Sequence, residues 1–188
     1  ACLFSVSVFG QCEIDYDFGD GGFGVSPDAS IGETFMNGEI GEEYYDVIHI
    51  LIPEYANGID VTYPPTLPID SLYLDYITFQ DTTTLEEIPL SDLGLEVFCN
   101  NNGDSGLECS FLGGEQYCAS VEGIPTMEGV YQIKLYFVGW LTIFEQFQVP
   151  FSHSTWITIN EGCIEDIDTF DLEDIKINDG KNHPLDKN

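Results

Sequence analysis

Residues 99–137, CNNNGDSGLECSFLGGEQYCASVEGIPTMEGVYQIKLYF, hold three of the six cysteines, a Gly/Asn-rich loop, a Gly-x-Pro-Thr turn and the clearest alternating segment of the chain. At its C-terminal end Tyr131, Ile133, Leu135 and Phe137 alternate with Gln132, Lys134 and Tyr136. A period of two predicts a half-buried strand, because successive side chains of a strand point to opposite faces. Upstream, residues 94–98 predict a short strand that enters the stretch, residues 100–116 an interrupting loop, and residues 117–122 a strand that leaves it. Gly123-Ile124-Pro125-Thr126 turns the chain, and Gly129 releases it into the long strand.

Working outward, residues 47–52 alternate Ile48, Ile50 and Ile52 with Val47, His49 and Leu51. With both faces apolar this segment is expected to be central, and Pro53, which has no amide hydrogen for a ladder, is expected to end it. Asn57-Gly58 signals a turn. Residues 63–68, YPPTLP, read as a stiff extended connection. Residues 69–79 form the second strong strand pattern, closed by a Thr-rich turn at 81–84, and residues 88–93 fit more than one state. After Gly139-Trp140 come a predicted strand over 141–149, a break at Pro150, and a last strand in which Thr155, Ile157 and Ile159 alternate with Trp156 and Thr158. About seven strands at intervals of 10 to 15 residues, and no amphipathic helix of useful length before Asn160, predict an all-β fold: an antiparallel immunoglobulin-like β-sandwich of about seven strands with a disulfide-pinned loop.

Gly94-Leu95, then Gly123-Ile124-Pro125-Thr126, then Gly129-Val130-Tyr131 resemble the signature of immunoglobulin-like (cadherin-like) domains of bacterial surface proteins. The form with cysteines in its insertion, here Cys99, Cys109 and Cys118 around Phe111-Leu112-Gly113-Gly114, is similar to modules that precede the sorting domain in cargo of the type IX secretion route. The usual proline after Gly-Leu is replaced by Glu96. The resemblance implies a secreted or cell-surface sandwich over residues 25–160. It says nearly nothing about chemistry.

Charge narrows the partners. The 188 residues carry 34 acidic and four basic side chains, a formal net charge of −30, and the first cation is Lys134. Such a surface repels phosphate backbones and anionic headgroups, so nucleic-acid binding and polybasic membrane docking are excluded. No run of about 20 apolar residues predicts a membrane span. Six cysteines in so acidic a chain point to an oxidising compartment. Residues 1–10, ACLFSVSVFG, read as the end of a signal peptide cut after Gly10, residues 11–24 as an acidic Gly-rich lead-in, and residues 161–188 as an acidic linker toward a truncated sorting domain. Cleavage would leave Cys12, Cys99, Cys109, Cys118 and Cys163. A bridge from Cys99 to Cys118 would tie two strands across the loop base, and one from Cys99 to Cys109 would pin the loop itself; the sequence leaves both open.

No catalytic, cofactor-binding or metal site is assigned. Gly-x-Ser-x-Gly is absent, and a Cys118 nucleophile with His153 as base would be consumed by a disulfide. His49, His153 and His183 are too scattered for a zinc signature, and His49 reads as a satisfied core residue. Calcium is the natural ligand of an acidic chain, yet in the loop from Asn100 the sixth and twelfth positions of an EF-hand are Ser105 and Phe111, and Asp15, Asp17 and Asp20 miss the spacing. The one binding hint is aromatic: Tyr44, Tyr45, Tyr55, Tyr63, Tyr73, Tyr76, Trp140 and Trp156 are candidates for a sugar or partner platform. The expected function is a non-enzymatic extracellular module, a structural spacer or an adhesion domain for a surface protein or glycan. The alternatives are a carbohydrate-binding accessory module and a calcium-dependent adhesin.

Overall fold

The alternation of apolar and polar side chains builds two sheets packed face to face. The computed structural model describes residues 12–21 and 23–162, and all that follows refers to these. Ten strands run in the order β1 (Gly24–Ser26), β2 (Gly38–Glu39), β3 (Tyr44–Leu51), β4 (Ile69–Asp81), β5 (Glu87–Pro89), β6 (Leu95–Asn100), β7 (Ser110–Leu112), β8 (Gln116–Gly123), β9 (Gly129–Thr142) and β10 (Gln146–Asn160). Sheet one has the order β1-β3-β8-β6, and sheet two the order β2-β10-β9-β4-β5, with β7 also pairing β4. The pairs are antiparallel except β2 with β10, a parallel contact of two residues.

These orders are the A-B-E-D and G-F-C sheets of an immunoglobulin domain, with β5 as the extra strand beside C. The chain is an immunoglobulin-like sandwich. Its core is the two inner faces: Ile48 and Ile50 of β3, Leu95 of β6 and Tyr117, Ala119 and Val121 of β8 meet Leu72, Leu74 and Phe79 of β4, Ile133, Leu135 and Phe137 of β9 and Ile157 and Ile159 of β10. Tyr131, near the start of β9, is buried and donates its hydroxyl to Glu128 O at 2.6 Å. This is the tyrosine corner of immunoglobulin domains, and two residues on, where an antibody domain has a cysteine, stands Ile133.

The glycines of the Gly-x-Pro-Thr signature sit at contacts too close for a side chain. A Cβ on Gly123 (φ 147°) would fall 2.2 Å from Gly94 O, and one on Gly94 (φ 83°) would fall 2.2 Å from Ile124 O. Ile124 N donates to Gly94 O and Thr126 N to Leu93 O, so this turn locks the crossing from β5 to β6 against the exit of β8.

Several sequence expectations change. Residues 100–116 are not all loop: β7 crosses to sheet two and buries Phe111 against β4. Residues 63–68 turn rather than extend, with Leu67 N donating to Pro64 O. The break expected at Pro150 is absent. The turn falls at 143–145, where Phe144 is 98 % exposed, and β10 runs through Pro150 while pairing only with β9 there. A proline is tolerated on such an edge because its missing amide hydrogen removes no ladder bond.

Two disulfides form, Cys99–Cys109 and Cys12–Cys118. Cys99 lies opposite Ala119, and Asn100 opposite Cys118. Directly paired residues share a face and neighbours alternate. Cys99 therefore points with Ala119 toward the core while Cys118 points outward, which rules out the Cys99–Cys118 bridge. The acidic residues 12–21 lie across the outer face of sheet one: Cys12 bonds Cys118, Asn100 Nδ2 donates to Cys12 O, Gln116 Nε2 donates to Tyr16 O, and the Tyr16 ring stacks on His49. The signal-segment reading of residues 1–10 and the linker reading beyond Gly162, Cys163 included, lie outside the described residues.

Candidate binding face

The two outer faces of the sandwich differ. On sheet one, the outward side chains of Cys118 and Ser120 are buried, and Tyr16, with Phe18 edge-on to it, stacks on His49. On sheet two, the outward side chains of β9 (Gln132, Lys134, Tyr136, Val138, Trp140) and of β10 (Gln148, Pro150, Ser152, Ser154, Trp156) are all half-buried to exposed. The β9 and β10 part of this face is almost uncharged in a chain of net charge −30. Of 34 acidic residues only Glu145, in the turn, falls within residues 129–160, and β10 has no acidic residue, lysine or arginine.

Four of the eight sequence-listed aromatics meet on this face: Tyr73 and Tyr76 of β4, Trp140 of β9 and Trp156 of β10. The pairing register sets them there, because Tyr73 opposes Val138, Tyr76 opposes Tyr136, Ser71 opposes Trp140 and Trp156 opposes Gln132. A bulge between Leu74 and Tyr76 keeps both tyrosines outward across an odd spacing. Tyr136 was missed as a site residue, although its place on the polar side of the alternation was readable. It stacks on Tyr76 at 4.4 Å between ring centroids. The other four aromatics lie elsewhere. Tyr44 is a core residue whose hydroxyl donates to Met36 O, Tyr63 packs on the core, Tyr45 is half-buried on sheet one, and Tyr55 is bridged to Pro68.

The face has two halves. In one, the Glu87 carboxylate accepts from Lys134 Nζ, from Tyr136 Oη at 2.9 Å and from Thr78 Oγ1 at 3.3 Å. The Lys134 and Tyr136 donors hold the Glu87 carboxyl below its ordinary pKa, and the same carboxylate raises the Tyr136 phenol. This half is satisfied internally. In the other, Tyr73 and Trp140 frame an open groove of about 580 Å³ whose wall is the 107–110 segment, with Ser71, Glu108 and Gln146 along it. None of these five side chains bonds to another described residue, so their polar groups are free for a ligand.

The other sequence candidates are otherwise engaged. In the Asn/Gly loop, Asn101 Nδ2 donates to Ser105 O, Leu107 O and Ser110 O, its Oδ1 accepts from Gly103 N, and Asp104 accepts from Tyr117 Oη at 3.0 Å. Those side chains close the loop. Among the described residues, no three His, Cys, Asp or Glu side chains gather in a cluster able to hold a metal ion. Cys118 is disulfide-bonded, and His153 Nε2 lies 2.9 Å from Pro27 O, so the two form no nucleophile and base pair. His49 is not a satisfied core residue: it points outward from β3 beneath Tyr16, and its buried Nδ1 has no hydrogen-bond partner. Burial lowers its pKa, opposed by the carboxylates of Asp15, Asp46 and Glu33.

No protein-family model matches the chain, and no curated protein sequence matches it. Among solved structures it is similar to a family 123 glycoside hydrolase from Clostridium perfringens that hydrolyses glycolipid glycans, at 11 % identity and a TM-score of 0.35, covering 67 % of this chain and 23 % of the hydrolase. It is also similar to PapD-like domain 7 of human CEP192, at 10 % identity and a TM-score of 0.38, covering 84 % of this chain and 99 % of that domain. Likeness this weak carries no functional argument.

Proposed function

We propose that this chain is a secreted, non-enzymatic immunoglobulin-like interaction module that binds its partner through the outer face of sheet two. The observation that carries the reading is the aromatic face whose β9 and β10 strands carry no acidic side chain on a chain of net charge −30, uncovered while residues 12–21 lie over part of the opposite face. Exposed aromatic patches on otherwise polar surfaces mark interaction sites. Two disulfides support an oxidising, extracellular setting. The resemblance of Gly94, Gly123 and Gly129 with their neighbours to bacterial surface and type IX cargo domains supports the same setting.

The test is an array of neutral glycans, acidic glycans and extracellular-matrix proteins, probed with labelled protein and with a Gln148→Glu/Ser152→Glu variant that charges the exposed strand of the face. Binding by the wild type that the variant loses, at an unchanged melting temperature, supports the reading. Equal binding by both, or none by the wild type, refutes it. Turnover of a chromogenic ester or glycoside panel would refute the non-enzymatic part.

A further inference from the structure

The groove between Tyr73 and Trp140 has the chemistry of a neutral-saccharide subsite, and we propose that it takes one segment of an uncharged polysaccharide. This deepens the interaction-module reading and rests on it. Tyr73 and Trp140 stand on neighbouring strands, since Tyr73 pairs with Val138 and Ser71 with Trp140, and their rings make no stacking contact with another described aromatic. A pyranose ring offers an apolar C–H face and a rim of hydroxyls. It matches two free aromatic surfaces flanked by hydroxyl and amide groups that both donate and accept, here Ser71, Ser110 and Gln146. Aromatic walls with a few free polar groups are the usual composition of a small-molecule cleft, and about 580 Å³ lies within the usual range of such sites.

Charge selects among ligands. Glu108, in the groove wall, accepts a hydroxyl hydrogen but repels a carboxylate or sulfate, and the chain as a whole, at −30, repels them too. Acidic glycans are thereby disfavoured. A second copy of this chain is disfavoured for the same reason. A neutral polysaccharide pays neither cost, and rigid aromatic side chains lose little conformational freedom on contact with it.

The two tryptophans, Trp140 and Trp156, give a direct readout. In a Trp156→Phe protein, emission excited at a wavelength only tryptophan absorbs comes from Trp140 alone. This protein is titrated with laminarin, mixed-linkage glucan, xylan and galactomannan, and with polygalacturonate as an acidic control. The expected result is a saturable change with at least one neutral polymer and none with polygalacturonate. In affinity electrophoresis, Tyr73→Ala or Trp140→Ala is expected to weaken binding by about tenfold or more, the scale of losing a central aromatic contact. Gln146→Ala, at an exposed position that cannot disturb the core, weakens it less, and Tyr76→Ala, on the satisfied half of the face, leaves it within about threefold. The proposal is overturned if no neutral polymer binds, if polygalacturonate binds as well, or if the Tyr73 and Trp140 variants bind like wild type. Array binding confined to matrix proteins and lost in Gln148→Glu/Ser152→Glu would overturn the saccharide subsite and leave the interaction module standing; no array binding at all would remove both.

Discussion

Removal of each disulfide in turn separates two effects that the folded structure displays side by side. Cys12–Cys118 spans 106 residues and Cys99–Cys109 spans 10. In the chain-entropy treatment, a cross-link restricts the unfolded chain in proportion to the logarithm of the loop it closes. That gives about 4.8 kcal/mol for the long loop and about 2.7 kcal/mol for the short one. The Cys12→Ala/Cys118→Ala variant should therefore lose about 2 kcal/mol more than Cys99→Ala/Cys109→Ala. For a chain of this size the losses correspond to melting-temperature drops of roughly 10–20 °C and 5–10 °C. Cys12 and Cys118 are also buried, so truncation leaves space beneath residues 12–21 and pushes in the same direction. The assay is urea unfolding at equilibrium without reductant, with Cys2 and Cys163 replaced by serine in every protein so that no thiol reshuffles. Equal losses, or a larger loss for the short loop, would refute the reasoning: closure of the long loop would then not be what Cys12–Cys118 contributes.

Gly123→Ala places a Cβ 2.2 Å from Gly94 O at a positive φ and should cost more than about 2 kcal/mol, whereas Gly106→Ala, with nothing within 4 Å, should stay within about 0.5 kcal/mol; denaturant midpoints compare them. Gly139→Ala points a methyl toward the interior, where its nearest neighbour is Val149 O at 3.5 Å and a small apolar void of about 50 Å³ adjoins, so it should raise stability by about 0.5–1 kcal/mol, read as a higher melting temperature. Partial burial would raise the Glu33 pKa, but donors from Tyr16 Oη, Asp28 N and Ser26 Oγ outweigh it, and the folded value lies below the unfolded one. Its stabilisation is therefore fully present above the unfolded pKa and lost as pH falls through the folded value. A pH series of melting temperatures should show a shallower acid limb in Glu33→Gln than in wild type, and identical limbs would disprove the role of this carboxylate.

Local signals made the sheet strands legible and left their partners open. The two-residue period over 131–137 told which side chains face the core, because strand geometry alone imposes it, while residues 47–52, apolar on both sides, told only that a strand was there. The turn at Gly123-Ile124-Pro125-Thr126 was legible, whereas the close approach of Gly123 and Gly94 to each other's segments was not. Register was not readable. It decided that Cys99 sides with Ala119 and Cys118 with Asn100, and so which cysteines bond. Periodicity also misplaced the last hairpin. Pro150 reads as a stop, yet on an edge strand paired from one side it costs no ladder bond.

The same division holds for the candidate site. Composition alone established an acidic chain that repels polyanions, and the clearing of acids from residues 129–160 was present in the sequence. What the clearing serves became visible only when strand pairing set β4, β9 and β10 side by side and gathered Tyr73, Tyr76, Tyr136, Trp140 and Trp156 on one face. Residues far apart in the chain meet only through long-range pairing, which no local pattern encodes. The sequence by itself determined the strand class and the acidic charge; the tertiary structure decided the disulfide pairing and which outer face residues 12–21 partly cover, because both rest on which strands pair.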